Sequence, residues 1–259
     1  MSMPPFNPTV YVVILNWNGY DDTTSCLDSF RKVTYPCYRI VVVDNGSERD
    51  EGRLIKKKYG DFVQVIRCKK NLGFAGGSNL GIRWALKNDS DYILLLNNDT
   101  VVDAPFLTEL VNAAEKDNKI GIVGPKVYNF YAPKEIHTAG GKINFWTGNA
   151  PCIGRGQKDN GKFDHQREVE YVSGCALMIK SHVLRKTGLL NEKYFAYYEE
   201  TELCTIARRL GYKVVYVPSA KIWHKISSSS ESELSFYYMI RNRFLFMKRN
   251  ANALQYFTF

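Results

Sequence analysis

The sequence contains no grouping of cysteine or histidine that would signal a zinc site or a disulfide scaffold. Its six cysteines stand far apart, without a C-x-x-C pair, whereas metal and redox centres usually show close spacings. No basic segment followed by an apolar stretch opens the chain, so we expect no secretory signal. These absences favour reduced thiols and a cytoplasmic protein.

Long apolar runs and the common nucleotide-binding glycine motifs are also missing. No stretch approaches the ~20 apolar residues of a membrane span. Neither G-x-G-x-x-G nor a P-loop lysine occurs, which argues against dinucleotide oxidoreductases and P-loop enzymes. No spacing supports Ser/His/Asp or Cys/His catalysis. The function must therefore rest on other residues.

The composition is that of a folded protein with a basic excess. Hydrophobic residues make up 45% of the 259 positions, which is ordinary for a globular domain. The 35 lysines and arginines exceed the 26 acidic residues and give a net charge of +9. This excess favours an anionic partner, either a phosphate ester or an anionic lipid surface. No nucleic-acid-binding motif is present, so we do not expect a nucleic-acid partner.

Apolar strand-like runs alternate with helix-like segments in the first half of the chain. Continuous apolar strands separated by helices predict a mainly parallel sheet that is covered on both faces. The predicted fold is therefore an open, doubly wound α/β sheet. The predicted strands are 10–15, 39–44, 62–66, 92–96 and 120–124.

Three of these strands end in polar, turn-like residues. The ends are Asn16 to Gly19, Asp44 to Ser47, and Asn97 to Asp99. Ligands of such sheets bind beyond the carboxyl ends of the strands. We therefore expect one shared ligand cleft at this edge.

The regular alternation breaks between residues 128 and 171, which are rich in glycine, asparagine and aromatic residues. We interpret this part as an irregular excursion with a short strand near "GKINF" and a mobile loop. After it we predict a strand at "YVSGCALMIK", a short helix at "SHVLRKTG" and a helix with an acidic first turn at "YEETELCTIARRLG". The next strand, "YKVVYVP", should end at Pro218.

A serine run at 227–230 should link this part to a C-terminal helix that is basic and rich in aromatic residues. We expect that helix either to be cut short or to seek a surface. We treat the chain as one domain with three parts: about 8–127, about 128–230 and about 231–259.

Asn97, Asn98 and Asp99 offer amide and carboxylate oxygens, the ligands that Mg²⁺ and Mn²⁺ prefer. An Asx turn after a strand explains the same residues equally well. His224 is a further, weak candidate for a metal ligand.

Two other acidic sites have competing explanations. Asp44 could accept hydrogen bonds from a base or ribose, or could form an Asx turn before Gly46. Glu199, Glu200 and Glu202 could simply stabilise the helix, because acidic side chains in a first turn interact favourably with the helix dipole. A carboxylate beside aromatic rings would instead have a raised pKa, which suits a general base.

Several motifs follow one another between about Val10 and Phe246. They are "VVILNWNG", "IVVVDNGS", "NLGFAGGSNLGI", "ILLLNNDTVV", "VSGCALMIKSHVL", "FAYYEETELCTIARRLGYKVVYVPSAKIWH" and "YYMIRNR". In this order they resemble family 2 glycosyltransferases of the rhamnosyltransferase-like branch. The resemblance implies a GT-A fold and inverting transfer of a sugar, rhamnose or another hexose, from a nucleoside diphosphate donor.

The resemblance assigns roles to single residues. Glu200, with Glu199 beside it, matches the acidic pair that contains the general base, and Asn97, Asp99 and His224 match a site for Mg²⁺ or Mn²⁺. Donor-binding positions that the resemblance implies are Asn16, Trp17, Asp44, Gly73, Gly76, Asn79, Asn98 and Arg241.

The sequence departs from the family pattern at three positions. Asn97 replaces an aspartate of the D-x-D element, Glu200 stands where aspartate is usual, and Ile206 replaces a common arginine. These changes put metal affinity and activity in question. A non-catalytic sugar-binding module is therefore the alternative, and a nucleotidyltransferase is a weaker one.

The implied partners are a dTDP-, UDP- or GDP-linked sugar and a glycan or lipid-linked acceptor. The basic, aromatic C-terminal segment suggests contact with the inner face of the cell membrane.

Overall fold

The computed structural model describes residues 7–225 and 233–259. The serine run at 227–230 lies outside the described residues. The strands are β1 (Val10–Asn16), β2 (Tyr38–Asp44), β3 (Val63–Arg67), β4 (Tyr92–Asn97), β5 (Thr100–Val102), β6 (Ile120–Asn129), β7 (Ile136–Thr138), β8 (Arg167–Glu168), β9 (Ala176–Lys180) and β10 (Lys213–His224). The helices are α1 (Tyr20–Phe30), α2 (Glu51–Tyr59), α3 (Gly73–Lys87), α4 (Phe106–Glu115), α5 (Ser181–Thr187), α6 (Glu199–Arg209), α7 (Glu233–Asn250) and α8 (Ala253–Thr258), with short 3-10 turns at Gly60–Phe62 and Glu192–Tyr194.

One sheet organises the fold, with strand order β3-β2-β1-β4-β9-β6-β10-β5. Strands β3, β2, β1 and β4 are parallel neighbours, and so are β6 and β10. Strand β9 lies antiparallel between β4 and β6. The predicted open, mainly parallel sheet is confirmed. Strands β1 to β4 pair with one another only in parallel, and antiparallel pairing begins where β9 joins β4.

Both faces of the sheet are covered, as the continuous apolar strands predict. In β1, Val10, Val12 and Ile14 face one core, which α1, α2 and α4 complete. Tyr11 and Val13 point to the other core, with α3, α5 and α6. Alternation of side chains along a strand produces this division.

Helix α3 packs unusually close to β1 because glycines face the strand. A Cβ atom built on Gly81 would lie 2.4 Å from Cγ1 of Val13, and one on Gly77 would lie 2.4 Å from Cδ1 of Leu15. The glycines after Gly73 therefore belong to a helix in contact with the sheet.

Several predicted boundaries in the second half were wrong. Strand β10 does not end at Pro218 but continues to His224. Its register against β6 shifts between Val217 and Lys221, and such a bulge accommodates a proline within a sheet. The segment "GKINF" forms only isolated bridges, at Gly141 and Asn144. Strand β9 is shorter than predicted and begins at Ala176.

A buried lysine ties the 128–171 excursion to the sheet. Lys126 on β6 is fully buried, and its ammonium group donates to Asp159 at 2.7 Å and also to Asp164. Tyr128 donates to the same Asp159 oxygen at 2.6 Å.

None of the helices in residues 7–225 and 233–259 is long and apolar enough to cross a membrane.

Candidate active site

The structure brings the three polar strand ends to one edge of the sheet. In the parallel register, Asn16 pairs with Asp44, and Leu15 pairs with Asn97. Neighbouring strands lie about 4.8 Å apart, so these ends form a continuous polar rim.

Asn16 and Asn98 are engaged within the rim itself. The Asn16 amide accepts from Thr23 at 2.7 Å and donates to Glu51 at 2.9 Å. Asn98 donates to the same Thr23 hydroxyl at 2.9 Å. Trp17, by contrast, is 51% exposed. The two amides are engaged in hydrogen bonds within the loop, whereas the Trp17 indole is open to a ligand.

The Asp44 side chain is held within the loop that follows β2. Its fully buried carboxylate accepts from the backbone N–H groups of Ser47 at 3.1 Å and Gly52 at 3.0 Å. Arg67 approaches the same carboxylate at 3.5 Å. Contact of Asp44 with a nucleoside therefore stays a prediction, and the carboxylate is enclosed by protein groups.

Strand pairing brings His224 to the acidic end of β4. Because β10 runs antiparallel to β5, His224 pairs with Thr100, and its Nε2 lies 3.0 Å from Oδ1 of Asp99. The amide nitrogen of Asn97 lies 3.4 Å from the same Nε2. His224 thus contacts both other residues that the resemblance grouped as a metal site.

Sequence reasoning missed His137, which lies on β7 in the excursion. Its ring is 5.1 Å from that of His224. Burial, together with the nearby His224 and Arg155, lowers the pKa of His137 to about 4. No periodic pattern surrounds this histidine in the sequence, so only the fold shows its position.

These side chains fit a divalent cation in part. Asp99 and His224 are both nearly buried, and a carboxylate with an imidazole is a suitable pair for Mn²⁺. No group of three or more His, Cys, Asp or Glu with metal-binding geometry occurs among the described residues. Mg²⁺ and Mn²⁺ commonly take only one or two protein ligands and share substrate phosphates. The donor set suits that kind of site.

The glycine-rich segment begins α3 beside the rim. Gly73 has φ +74°, and a Cβ atom there would lie 2.5 Å from the Phe195 carbonyl oxygen. A Cβ atom on Gly76 would meet Leu72 at 2.9 Å. Asn79 is buried, and its side-chain amide donates to the Leu190 carbonyl at 2.8 Å and accepts from the Leu190 N–H at 3.1 Å. Direct donor contacts by these residues stay predictions.

Arg241 is engaged on α7. Its guanidinium donates to the Lys193 carbonyl and lies 5.3 Å above the ring centre of Tyr238. A role in donor binding also stays a prediction.

Two adjacent carboxylates begin α6. Glu199 is 4% exposed, and Glu200 is the more accessible of the two. Burial raises the pKa of both, and the neighbouring Glu200 charge raises that of Glu199 further, so that it lies well above the ordinary value. Within the described residues, one oxygen of each carboxylate is buried without a hydrogen-bond partner. Burial of this kind favours the protonated form of each carboxyl group, and two adjacent carboxyl groups can exchange a proton.

The 173–175 segment connects the two acidic groups. The Asn97 N–H donates to the Cys175 carbonyl at 2.9 Å, and a Cβ atom on Gly174 would lie 3.5 Å from Cγ of Glu200. Burial raises the pKa of the Cys175 thiol to about 12, with smaller contributions from both Asp99 and Glu200. The Asp99 and Glu200 carboxylates therefore lie around one short segment, whereas Asp44 is two strands away.

Comparison with known proteins identifies the family. A sequence model described as "Glycosyl transferase family 2" matches residues 11–188, which is more than half of the chain. The chain belongs to glycosyltransferase family 2. It is therefore a glycosyltransferase by family, and the predicted resemblance is confirmed.

Two curated relatives agree with this family and with its rhamnosyltransferase-like branch. The low-salt glycan biosynthesis hexosyltransferase Agl10 of Haloferax volcanii is 27% identical over 95% of this chain and 79% of its own length. The dTDP-rhamnosyl transferase RfbF of Shigella flexneri is 26% identical over 94% of this chain and 81% of its own length.

A solved structure, GalNAc-T7 with UDP, GalNAc and Mn²⁺, superposes with a TM-score of 0.71 at 18% identity. The superposed region covers 85% of this chain and 44% of the GalNAc-T7 chain. The likeness shows the GT-A fold.

Proposed function

We propose that this family 2 glycosyltransferase moves a hexose or deoxyhexose from a nucleoside diphosphate donor to a hydroxyl group of a glycan or lipid-linked acceptor. Transfer inverts the anomeric centre. Donor binding falls mainly to residues 8–127 and acceptor binding to residues 128–230. One observation carries the proposal: Glu200, a carboxylate of raised pKa, lies against the 173–175 segment, and the same segment accepts the hydrogen bond of Asn97 at the end of β4, two residues before Asp99.

Glu200 is the general base of the proposed reaction. Its carboxylate takes the proton of the acceptor hydroxyl while that oxygen attacks the anomeric carbon. The bond between this carbon and the diphosphate oxygen breaks, and the electron pair leaves with the nucleoside diphosphate. Glu200 is preferred over Glu199 because it is the more accessible acid.

Asp99 and His224, with Asn97 beside them, would hold the divalent cation. When bound, that cation supplies positive charge that stabilises the leaving diphosphate. The residues suit this role because a buried carboxylate and an imidazole already face each other at 3.0 Å. GalNAc-T7, which shares the fold, was solved with UDP, GalNAc and Mn²⁺, and this supports Mn²⁺ as the ion to test.

The choice of donors rests on the relatives. One is described as a hexosyltransferase and the other as a dTDP-rhamnosyl transferase. We propose dTDP-rhamnose first, with UDP- and GDP-linked hexoses as alternatives. Trp17, which is half exposed at the rim, is available to stack against a base or sugar.

We also propose that α7 and α8 contact an anionic lipid surface where a lipid-linked acceptor would reside. Nine of the fifteen large apolar side chains that are exposed in the described residues lie on these two helices. Phe236, Tyr237, Ile240 and Phe244 share one face of α7 by their spacing, and Phe257 of α8 is 89% exposed. The basic net charge favours an anionic surface.

A donor screen tests the proposed function. The purified chain is mixed with Mn²⁺ and each of dTDP-rhamnose, UDP-hexoses and GDP-mannose, and its melting temperature is followed. One donor should raise that temperature and release its nucleoside diphosphate when an acceptor sugar is added. Binding without release under any acceptor would instead favour the non-catalytic module.

A further inference from the structure

The loop that leads into α6 has an unfavourable backbone conformation. Phe195, Tyr197 and Tyr198 have φ values of +66°, +71° and +75°. Residues with a Cβ atom rarely adopt this region, and bulky residues least of all. Such conformations persist only where surrounding contacts hold them. We refer to residues 194–198 as the acid-side loop, because Glu199 and Glu200 follow it directly.

One side chain from α7 holds this loop. Asn242 is fully buried, and its Nδ2 lies 2.9 Å, 2.6 Å and 2.8 Å from the carbonyl oxygens of Tyr194, Ala196 and Tyr197. A carboxamide has two N–H donors, so three carbonyl groups share them. The Tyr194 carbonyl also accepts from the Ala196 N–H at 2.8 Å, so Asn242 adds to a hydrogen bond that the loop makes within itself.

The acid-side loop also touches the donor side of the site. The Phe195 carbonyl accepts from the Ala75 N–H at 3.1 Å, at the start of α3. Gly73 packs directly on Phe195, where a Cβ atom would lie 2.5 Å from its side chain. A change in the loop would therefore move both the first turn of α6 and its contact with the glycine-rich segment.

We propose that Asn242 is a positioning residue: its amide holds the acid-side loop in this conformation and thereby sets where Glu200 meets the acceptor hydroxyl. This inference rests on the proposed function. Asn242 does not touch the reacting atoms and acts only through the loop. The Phe195 ring also stacks on Tyr238 of α7, with ring centres 5.0 Å apart, and this contact would keep the loop attached to α7 when the amide is removed.

Three substitutions and one control test the inference. Asn242→Ala removes the donors, and Asn242→Asp keeps the shape but turns an oxygen toward three carbonyl oxygens. Asn242→Ser keeps one hydrogen-bond donor, and this variant provides the test if Asn242→Ala and Asn242→Asp do not fold. The control, Asn250→Ala, removes another buried amide of α7, which bonds Glu202 and the Phe246 carbonyl.

With the donor identified by the screen, Asn242→Ala and Asn242→Asp should lower kcat by up to about 100-fold, as expected for a displaced catalytic group. The KM for the donor should stay near the wild-type value, and Asn242→Ser should fall between. Asn250→Ala should keep its kcat. Equal losses in Asn250→Ala, or an unchanged kcat in Asn242→Asp, would overturn the positioning role.

Amide hydrogen exchange gives a readout that needs no activity. Exchange in residues 194–199 should speed up in the Asn242 variants and stay slow in Asn250→Ala. If the wild-type chain transfers no sugar, the proposed function fails, and exchange still decides whether Asn242 holds the loop. Slow exchange at the loop in every Asn242 variant would refute the clamp.

Discussion

Three glutamates in the first turn of α6 have opposite electrostatic environments. Burial raises the pKa of Glu199 and Glu200. Burial also acts to raise the pKa of Glu202, but hydrogen bonds from Asn191, Arg249 and Asn250 outweigh it and lower that pKa. The environment therefore favours the protonated form of the first two acids and the ionised form of Glu202. Their spacing in the sequence could not distinguish them from Glu202.

This difference predicts opposite effects of pH on stability. A carboxyl group whose pKa is raised in the folded state contributes its full stabilisation below the ordinary carboxylate pKa of about 4.3. That contribution is lost as pH rises through the pKa of the folded state. Glu199→Gln should therefore gain stability relative to wild type as pH rises. Urea unfolding at several pH values between about 5 and 8 measures the trend.

Glu202→Gln is the matched control on the same helix. Because the folded-state pKa of Glu202 is lowered, its stabilisation is present above the unfolded value and lost as pH falls. This variant should be less stable than wild type near neutral pH and approach it in acid. Parallel pH profiles for Glu199→Gln and wild type would contradict the account.

Among the secondary-structure elements, those of the parallel half were readable from the sequence and those beyond it less so. The apolar run 92–96, for example, predicts β4 and its polar end, because a short continuous apolar run is typical of a strand that is buried on both faces. Strand β10 was misread because Pro218 looks like a terminator, whereas a bulge against β6 accommodates it. Local sequence does not carry the register that makes this possible.

The candidate site divides in the same way. Asn97, Asp99 and Glu200 stand in motifs whose order the resemblance could use. His137 and the 173–175 segment reach the site only through strand pairing between distant parts of the chain. Asn242 lies 42 positions after Glu200 in the sequence, and no local pattern indicates that its amide reaches the loop before α6.

Exposed apolar side chains concentrate at one region of the protein, α7 and α8. Large apolar patches on a soluble protein usually mark an interaction surface. Interleaved arginine and lysine residues of α7 add positive charge to it. Under the proposed function, a lipid-linked acceptor held in a membrane would place its sugar near this surface, and the patch would then serve acceptor delivery.

Vesicle sedimentation tests this surface. The chain should sediment with vesicles that contain anionic lipid and much less with neutral ones, and added salt should weaken the binding. The exposed pair Phe236→Ser and Phe244→Ser should reduce sedimentation without changing donor binding. A wild-type chain that stays in the supernatant with anionic vesicles would remove the membrane role.

The account depends most on Glu200 as the base that takes the acceptor proton. Glu200→Gln keeps the size of the side chain and removes its basic oxygen. We predict that calorimetry in Mn²⁺ will show unchanged donor binding, while the rate of sugar transfer falls by roughly 10² to 10⁴. Transfer at the wild-type rate by Glu200→Gln would contradict the account.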